Sequence, residues 1–382
     1  MADSRPSQPS GLLVIDKPQG VTSHDLVAAV RGALHTKKVG HAGTLDPMAT
    51  GVLVIGFGNA TRLLNVIVDH DKTYEATIRL GRSTDSDDAD GTLLEPAEAM
   101  PASLDGIDRD LIERTIAERL TGPIEQVPNT FSAIKINGQR AYDLARDGKD
   151  VELKARPVTI HAFDVLGMRA GVTDATRTDG PLIGPDDADD AGVTVFDDVA
   201  GGGTDEPSRQ HGMVPVIDLD VRVSCSAGTY IRALARDLGV LLGCGGYLTR
   251  LRRTRVGRFD LASPEFSGRV ATAHVESRTF TNRAGETVTR NRAVLDQTGD
   301  ELLASHALTM VEAVKMTMPT VEITGEDAAN LRFGRRIPYD VHGPTAAYVP
   351  DPSGDDRSGD VAAIIERAKR GEAKPVVVFA AG

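Results

Sequence analysis

Residues 157–167, PVTIHAFDVLG, and 215–228, PVIDLDVRVSCSAG, read as two strands of one hairpin. That pairing constrains the chain more than any other feature. A hairpin of long strands is antiparallel, so a regular βαβ alternation with a wholly parallel sheet is excluded. The segment between the two runs, 171–213, is acidic and glycine-rich and has no core-forming periodicity. It is expected to be a flexible insertion at the hairpin tip.

The other elements fit an α+β fold: a mixed, largely antiparallel sheet with flanking helices and a small C-terminal β-rich domain. GLLVIDKP (11–18) is a buried strand stopped by a proline, and TSHDLVAAVRGALH is a helix capped by Thr22 or Ser23. KTYEATIRLG (72–81) alternates Tyr74, Ala76, Ile78 and Leu80 on one face, as a half-buried strand does. DRDLIERTIAERL and TYIRALARDLGVLLG are helices, and GYLTRLRRTRVGRF is a basic strand. Residues 274–307 are expected to be a second, irregular insertion. The expected division is a disordered leader over 1–10, a main domain over 11–316 and a β-rich terminal domain over 317–382.

The chain has 382 residues and a net charge of −12, which on its own argues against a nucleic-acid partner. The charge is unevenly spread, however. Residues 171–210 hold ten acids against Arg177 and Arg209, whereas 222–258 hold eight arginines against Asp237 alone. A local basic surface can bind phosphates on an acidic protein. No apolar run approaches the roughly 18 residues of a membrane span. The first residues, MADSRPSQPSG, lack the apolar core of a signal peptide, so a cytoplasmic protein is expected. Two cysteines, Cys225 and Cys244, are too few for a zinc cage or disulfide framework and read as small buried thiols.

The stretch GHAGTLDPMATGVLVIG (40–56) sets four glycines around one carboxylate, Asp46, followed by Pro47. No GK[ST] follows, so it is not a phosphate-binding P-loop. Asp-Pro is a good helix start, and capping competes with catalysis as an explanation. MATG breaks at Gly51 within one turn, so little helix exists to be capped. No second metal-ligating side chain stands at a useful spacing from His41, and no metal is expected. CSAGTYIR (225–232) gathers Ser, Tyr and Arg where a strand turns into a helix, but misses the G-x-S-x-G nucleophile elbow. The arginines at 250, 252, 253 and 255 have almost no acids near them, which favours phosphate contact over a merely solvated face.

GHAGTLDPMATG, KTYEATIRLG, TDSDDADG, FSAIKINGQRAYDLAR (131–146), CSAGTYIRALARDLG and YLTRLRRTRVG together resemble the TruB family of tRNA pseudouridine synthases. The six blocks stand in the family's order. The tail resembles, more weakly, the PUA-like RNA-binding domain of bacterial members. The resemblance implies the pseudouridine synthase fold and isomerisation of the T-loop uridine of tRNA, position 55. It implies no cofactor, no required protein partner and no membrane, and a monomer is expected. Asp46 is then the essential catalytic carboxylate, acting as a nucleophile at C1′ or C6 or as the base for a 2′ proton. His41 contacts the extruded nucleotide, Tyr74 stacks on the flipped uracil, Arg232 pairs with Asp46, and Tyr230 and Leu251 line the pocket. Lys17, Lys135, Arg250, Arg252 and Arg253 are candidates for RNA phosphate contact.

Two other readings fit parts of the sequence. A non-catalytic RNA-binding module explains the basic strand and the tail, but not Asp46, Tyr74 and Arg232 together. A guide-RNA-dependent relative shares the catalytic blocks, although the ATIRLG and TDSDDADG segments and the tail look like the stand-alone bacterial enzymes.

Overall fold

A computed structural model describes residues 9–94, 104–129, 153–184, 212–282 and 285–381, with the strand pairs 135–136 and 139–140. The leader over 1–8, most of the 131–146 block and the acidic stretch 185–211 lie outside the described residues. The side chain of Lys135 lies outside them too.

In chain order the first elements are β1 (Gly11–Lys17), α1 (Ser23–Ala33), β2 (Val39–Ala42), β3 (Thr50–Phe57), a 3-10 turn, α2 (Leu64–Val68) and β4 (Lys72–Leu80). Then come α3 (Arg109–Arg119), β5 (Gly122–Gln126), β6 (Lys135–Ile136), β7 (Gln139–Arg140), β8 (Arg156–Asp174) and β9 (Met213–Cys225). Next are α4 (Ile231–Leu241), β10 (Gly246–Val256), β11 (Phe259–Asp260), β12 (Ala271–Thr281), β13 (Thr287–Leu295), α5 (Gly299–His306) and α6 (Met310–Thr317). The last are β14 (Thr320–Glu322), α7 (Gly325–Arg332), β15 (Thr345–Pro350), β16 (Gly359–Lys369) and β17 (Glu372–Val378). The class is α+β, as expected.

The chain forms two compact units. One holds residues 1–72 and 253–382, the other 73–252. The first unit contains strands in the order β13-β12-β1-β3, with β2 on β3, and the separate sheet β14-β15-β16-β17. β1 runs antiparallel to β3 along its whole length, and only its end pairs in parallel with β12. Leu12, Val14 and Val54 share a core with Leu308, Val311, Val314, Tyr348, Val361 and Phe379. A further core of Ile323, Leu331, Ile337 and Ile365 lies within the terminal segment. The terminal sheet therefore packs on the N-terminal strands of its own unit, and the compact units divide the chain elsewhere than at residue 316.

The second unit has the strand order β10-β4-β9-β8-β5. β8 and β9 are the expected hairpin, paired from Ile160↔Cys225 to Asp174↔Met213. The acidic insertion was expected to begin at 171, but residues 171–184 are anchored. Val172 and Ile183 exchange two backbone hydrogen bonds. Arg79 donates to Gly180 O at 2.7 Å, and the Tyr247 hydroxyl donates to Thr178 O at 2.8 Å. Buried cations and hydroxyls tie down a stretch whose own composition carries no such signal.

The segment 274–307 is likewise regular rather than irregular. β12 and β13 pair without interruption from Ala273↔Leu295 to Thr281↔Thr287, and α5 follows. The outer part of this ribbon is polar on one face, with Ser277, Thr279 and Thr281 opposite Asn291, Thr289 and Thr287. With no apolar alternation there, the sequence lacked the usual mark of a strand.

Candidate active site

In the first unit, the loop carrying Asp46 runs between β2 and β3 and is held through its main chain. Lys17 is fully buried, and its ammonium donates to Ala49 O at 2.6 Å, Pro18 O at 3.0 Å and Pro47 O at 3.3 Å. Ser23 Oγ accepts from Leu45 N at 2.9 Å and donates to Leu45 O. Gly20 N donates to Pro47 O at 2.8 Å. From the other side, Arg253 donates to Val52 O at 2.9 Å and Gly43 O at 3.1 Å. A run of small residues lets these long cations reach the backbone. Gly51, at φ 100°, would place a Cβ only 2.1 Å from Arg253 O. The clamp therefore fixes every peptide around Asp46 through carbonyls and amides.

Lys17 and Arg253 are thus corrections to the phosphate-contact expectation. Both are buried, and their hydrogen bonds go to loop carbonyls. A signal for Arg253 existed. Leu251 and Arg253 are two apart on one strand, so an inward Leu251 implies an inward Arg253. Arg250 is exposed and Arg252 half-buried, as phosphate contact requires.

His41 lies on β2 with its ring edge-on to His24, centroids 5.8 Å apart. Burial, with the charges of His24 and Arg253, pushes its pKa below the usual imidazole value. His41 is therefore neutral at pH 7, and its buried Nδ1 has no hydrogen-bond partner among the described residues.

In the second unit, Tyr74 on β4 and Leu251 on β10 are buried on neighbouring strands. Tyr230 stands at the start of α4, where no side chain caps the helix. Gln126 serves that end instead: its amide accepts from Tyr230 N at 2.8 Å and donates to Tyr230 O at 2.9 Å. Nothing in the sequence marked Gln126 for this role.

Arg232, in the first turn of α4, donates to Ser86 O at 2.9 Å and pairs with Asp88 Oδ2 at 3.2 Å, both carboxylate and guanidinium being buried. Asp88 also accepts from Ser86 Oγ at 2.6 Å and from Asp90 N at 3.1 Å. The acidic turn TDSDDADG is therefore an anchor for the cations of α4. A planar guanidinium has donors enough for a further carboxylate.

Among the described residues, no cluster of three or more His, Cys, Asp or Glu could hold a metal ion. None of the described helices is long and apolar enough to cross a membrane.

Comparison with known proteins gives the family. Residues 31–177 match the family described as TruB family pseudouridylate synthase, N-terminal domain. Residues 232–276 match the tRNA pseudouridylate synthase B C-terminal domain, and 318–380 match the C-terminal domain of tRNA pseudouridine synthase II. The chain is 56% identical to tRNA pseudouridine synthase B of Bifidobacterium longum strain DJO10A, over 97% of this chain and 98% of the relative. It is 42% identical to the protein of that name from Arthrobacter sp. strain FB24, with 97% of each chain covered. Among solved structures, a Cbf5-Nop10-Gar1 complex matches at TM-score 0.56 and 20% identity, covering 100% of this chain and 87% of that one. An H/ACA RNP bound to a substrate RNA containing 2'-deoxyuridine matches at TM-score 0.55, also at 20% identity, covering 99% and 88%. At that identity these two show a shared fold, while the bacterial relatives carry the assignment: the chain belongs to the bacterial branch of the TruB family of pseudouridylate synthases.

Proposed function

We propose that this protein acts alone, as a monomer, to isomerise the uridine at position 55 in the T loop of tRNA to pseudouridine. The supporting observation is the clamp on the Asp46 loop. Three side chains spend their hydrogen bonds on its backbone, so the carboxylate is held in place rather than searching. Cleaving a glycosidic bond calls for such a carboxylate beside the anomeric carbon. The atoms balance without a co-substrate. The C1′–N1 bond breaks, a C1′–C5 bond forms, C5 loses a proton and N1 gains one.

A uridine in a folded loop must be turned out to be reached. In this reading neutral His41 contacts the extruded nucleotide. Tyr74 stacks on the uracil, and Tyr230 and Leu251 line its pocket. Arg232 offers its guanidinium to the Asp46 carboxylate. Arg250 and Arg252 contact phosphates, as does Lys135, and the terminal segment 317–382 serves as an RNA-binding domain.

The test is tritium release from tRNA labelled at uracil C5, with the protein alone and no guide RNA. Stoichiometric release that maps to position 55 is expected. Release only when a guide RNA is added, or none at all, sinks the reading.

A further inference from the structure

Only Ala271 and Thr272 at the root of β12 pair with β1, at Ile15 and Asp16. The rest of β12 pairs with β13 alone; Ala293 and Leu295 at the root of β13 are buried, and the outer part of the ribbon is exposed. At roughly 3.3 Å per residue, Ala273–Thr281 extends about 30 Å. The distal part falls between the family matches, which stop at 276 and resume at 318.

One face of this ribbon is cationic. Residues directly opposite share a face. Glu276 faces Arg292 and forms an ion pair with it, and His274 is held by Asp296 at 2.7 Å. One register step further, Arg278 directly faces Arg290. Among the described residues, no carboxylate forms an ion pair with either. Next on the same face is Phe280, 37% exposed, with the Arg290 guanidinium 5.9 Å from its ring centroid. Like charges placed directly opposite destabilise a strand pair. An exposed aromatic ring beside them adds no core. Phe280 has Val288 opposite it and a cation on its ring, but the two facing guanidinium groups have no carboxylate among the described residues to offset them; a polyanion with stackable rings uses both features.

The root of the ribbon reaches the catalytic loop. Asn291 donates through Nδ2 to Gly20 O at 3.0 Å, and Gly20 N donates to Pro47 O at 2.8 Å. One residue of main chain, Gly20, thus links the ribbon to the carbonyl of Pro47, the residue after Asp46.

We propose that the Arg278, Arg290 and Phe280 face of the β12–β13 ribbon is an RNA-binding arm, taking a stretch of tRNA outside the reacting loop. This rests on the tRNA reading above. The two guanidinium groups take backbone phosphates, and Phe280 stacks on an unpaired base.

The test compares wild type with Arg278→Ser/Arg290→Ser and with Phe280→Ser, by titrating a full-length tRNA transcript across salt concentrations. Losing two phosphate contacts should raise Kd about tenfold at low salt and flatten the log–log salt slope by about 1 to 2. Phe280→Ser should raise Kd about fivefold. The maximal turnover rate at saturating tRNA should be unchanged. The thermal midpoint of the double variant should not fall, because a repulsive pair has been removed.

An unchanged Kd and slope in the double variant would overturn the proposal. So would loss of binding to phosphatidylserine vesicles with tRNA affinity intact, which would make the face a membrane contact. Failure of the underlying reading looks different. In that case wild type releases no tritium from tRNA, whatever the variants do to affinity.

Discussion

The loop around Asp46 and the turn around Asp88 are both short, polar and built on aspartate, yet they hold their acids in opposite ways. In the first, the surroundings grip the backbone. Lys17, Ser23 and Arg253 bind carbonyls and an amide of residues 43–52. In the second, the carboxylates themselves are the anchors. Asp85 accepts from Thr92 N, Asp88 from Ser86 Oγ and Asp90 N, and Asp87 and Asp88 pair with Arg236 and Arg232. An acid that ties its own turn together is structural. An acid whose loop is fixed by other groups is positioned for chemistry. Count of acids or local charge does not separate the two cases; where the hydrogen bonds go does.

The largest effect expected from this contrast is on turnover. Asp46→Asn should slow pseudouridine formation about a thousandfold or more, roughly 4 kcal/mol on the barrier. Stability should fall by less than about 1 kcal/mol, because Lys17, Ser23 and Arg253 hold the loop through its backbone and Asn keeps the shape of the side chain. Single-turnover kinetics and denaturant unfolding measure the two. A stability loss comparable to the rate loss would make Asp46 an anchor like Asp88.

Asp88→Ala should show the reverse pattern, a loss of about 3 kcal/mol in stability from leaving a buried guanidinium without that partner. Both side chains are almost fully buried, at 6% and 5% exposure, so solvent does little to screen the pair. Stability equal to wild type in urea unfolding would erase the distinction between the two regions.

Arg253→Met comes third. It removes the donors to Val52 O and Gly43 O, at about 2 kcal/mol for two buried carbonyls left unsatisfied. A loosened loop should lower the maximal rate about tenfold while tRNA affinity stays within about threefold. A phosphate contact would give the opposite split, a weaker affinity and an unchanged rate.

Much of this was legible in the sequence, and most of the failures share a cause. The hairpin 157–228, the helices and the Asp46 loop carry local signals: periodicity, caps, glycines and proline. The burial of Lys17 and Arg253 does not, since a cation reads as exposed until the carbonyls that receive it are brought near from residues 30 or 201 positions away. The same holds for residues 171–184, fixed by Arg79 and Tyr247 from other strands. The β12–β13 ribbon was missed for a different reason. Its outer part, exposed on both faces, has no apolar alternation to read.

The smallest effect concerns Asp87, the member of the acidic turn that strains the contrast. Its backbone is left-handed, at φ 61°, a conformation that Asp and Asn tolerate better than other side chains. Burial pushes its pKa above the usual carboxylate value, and Asn129, Arg236 and Arg232 only partly offset that. A folded pKa above the unfolded one means the native state binds the proton more tightly. The resulting stabilisation is complete below about pH 4, the unfolded value, and is lost as pH rises through the folded pKa. Asp87→Asn keeps the backbone conformation and mimics the protonated acid at every pH. Its stability should match wild type within about 1 kcal/mol at low pH and improve relative to wild type as pH rises to 7. Urea unfolding at a series of pH values reads the difference directly. A variant that instead falls further behind with rising pH would show that the ion pair with Arg236, at 3.1 Å, outweighs burial, and that Asp87 anchors its turn as Asp88 does.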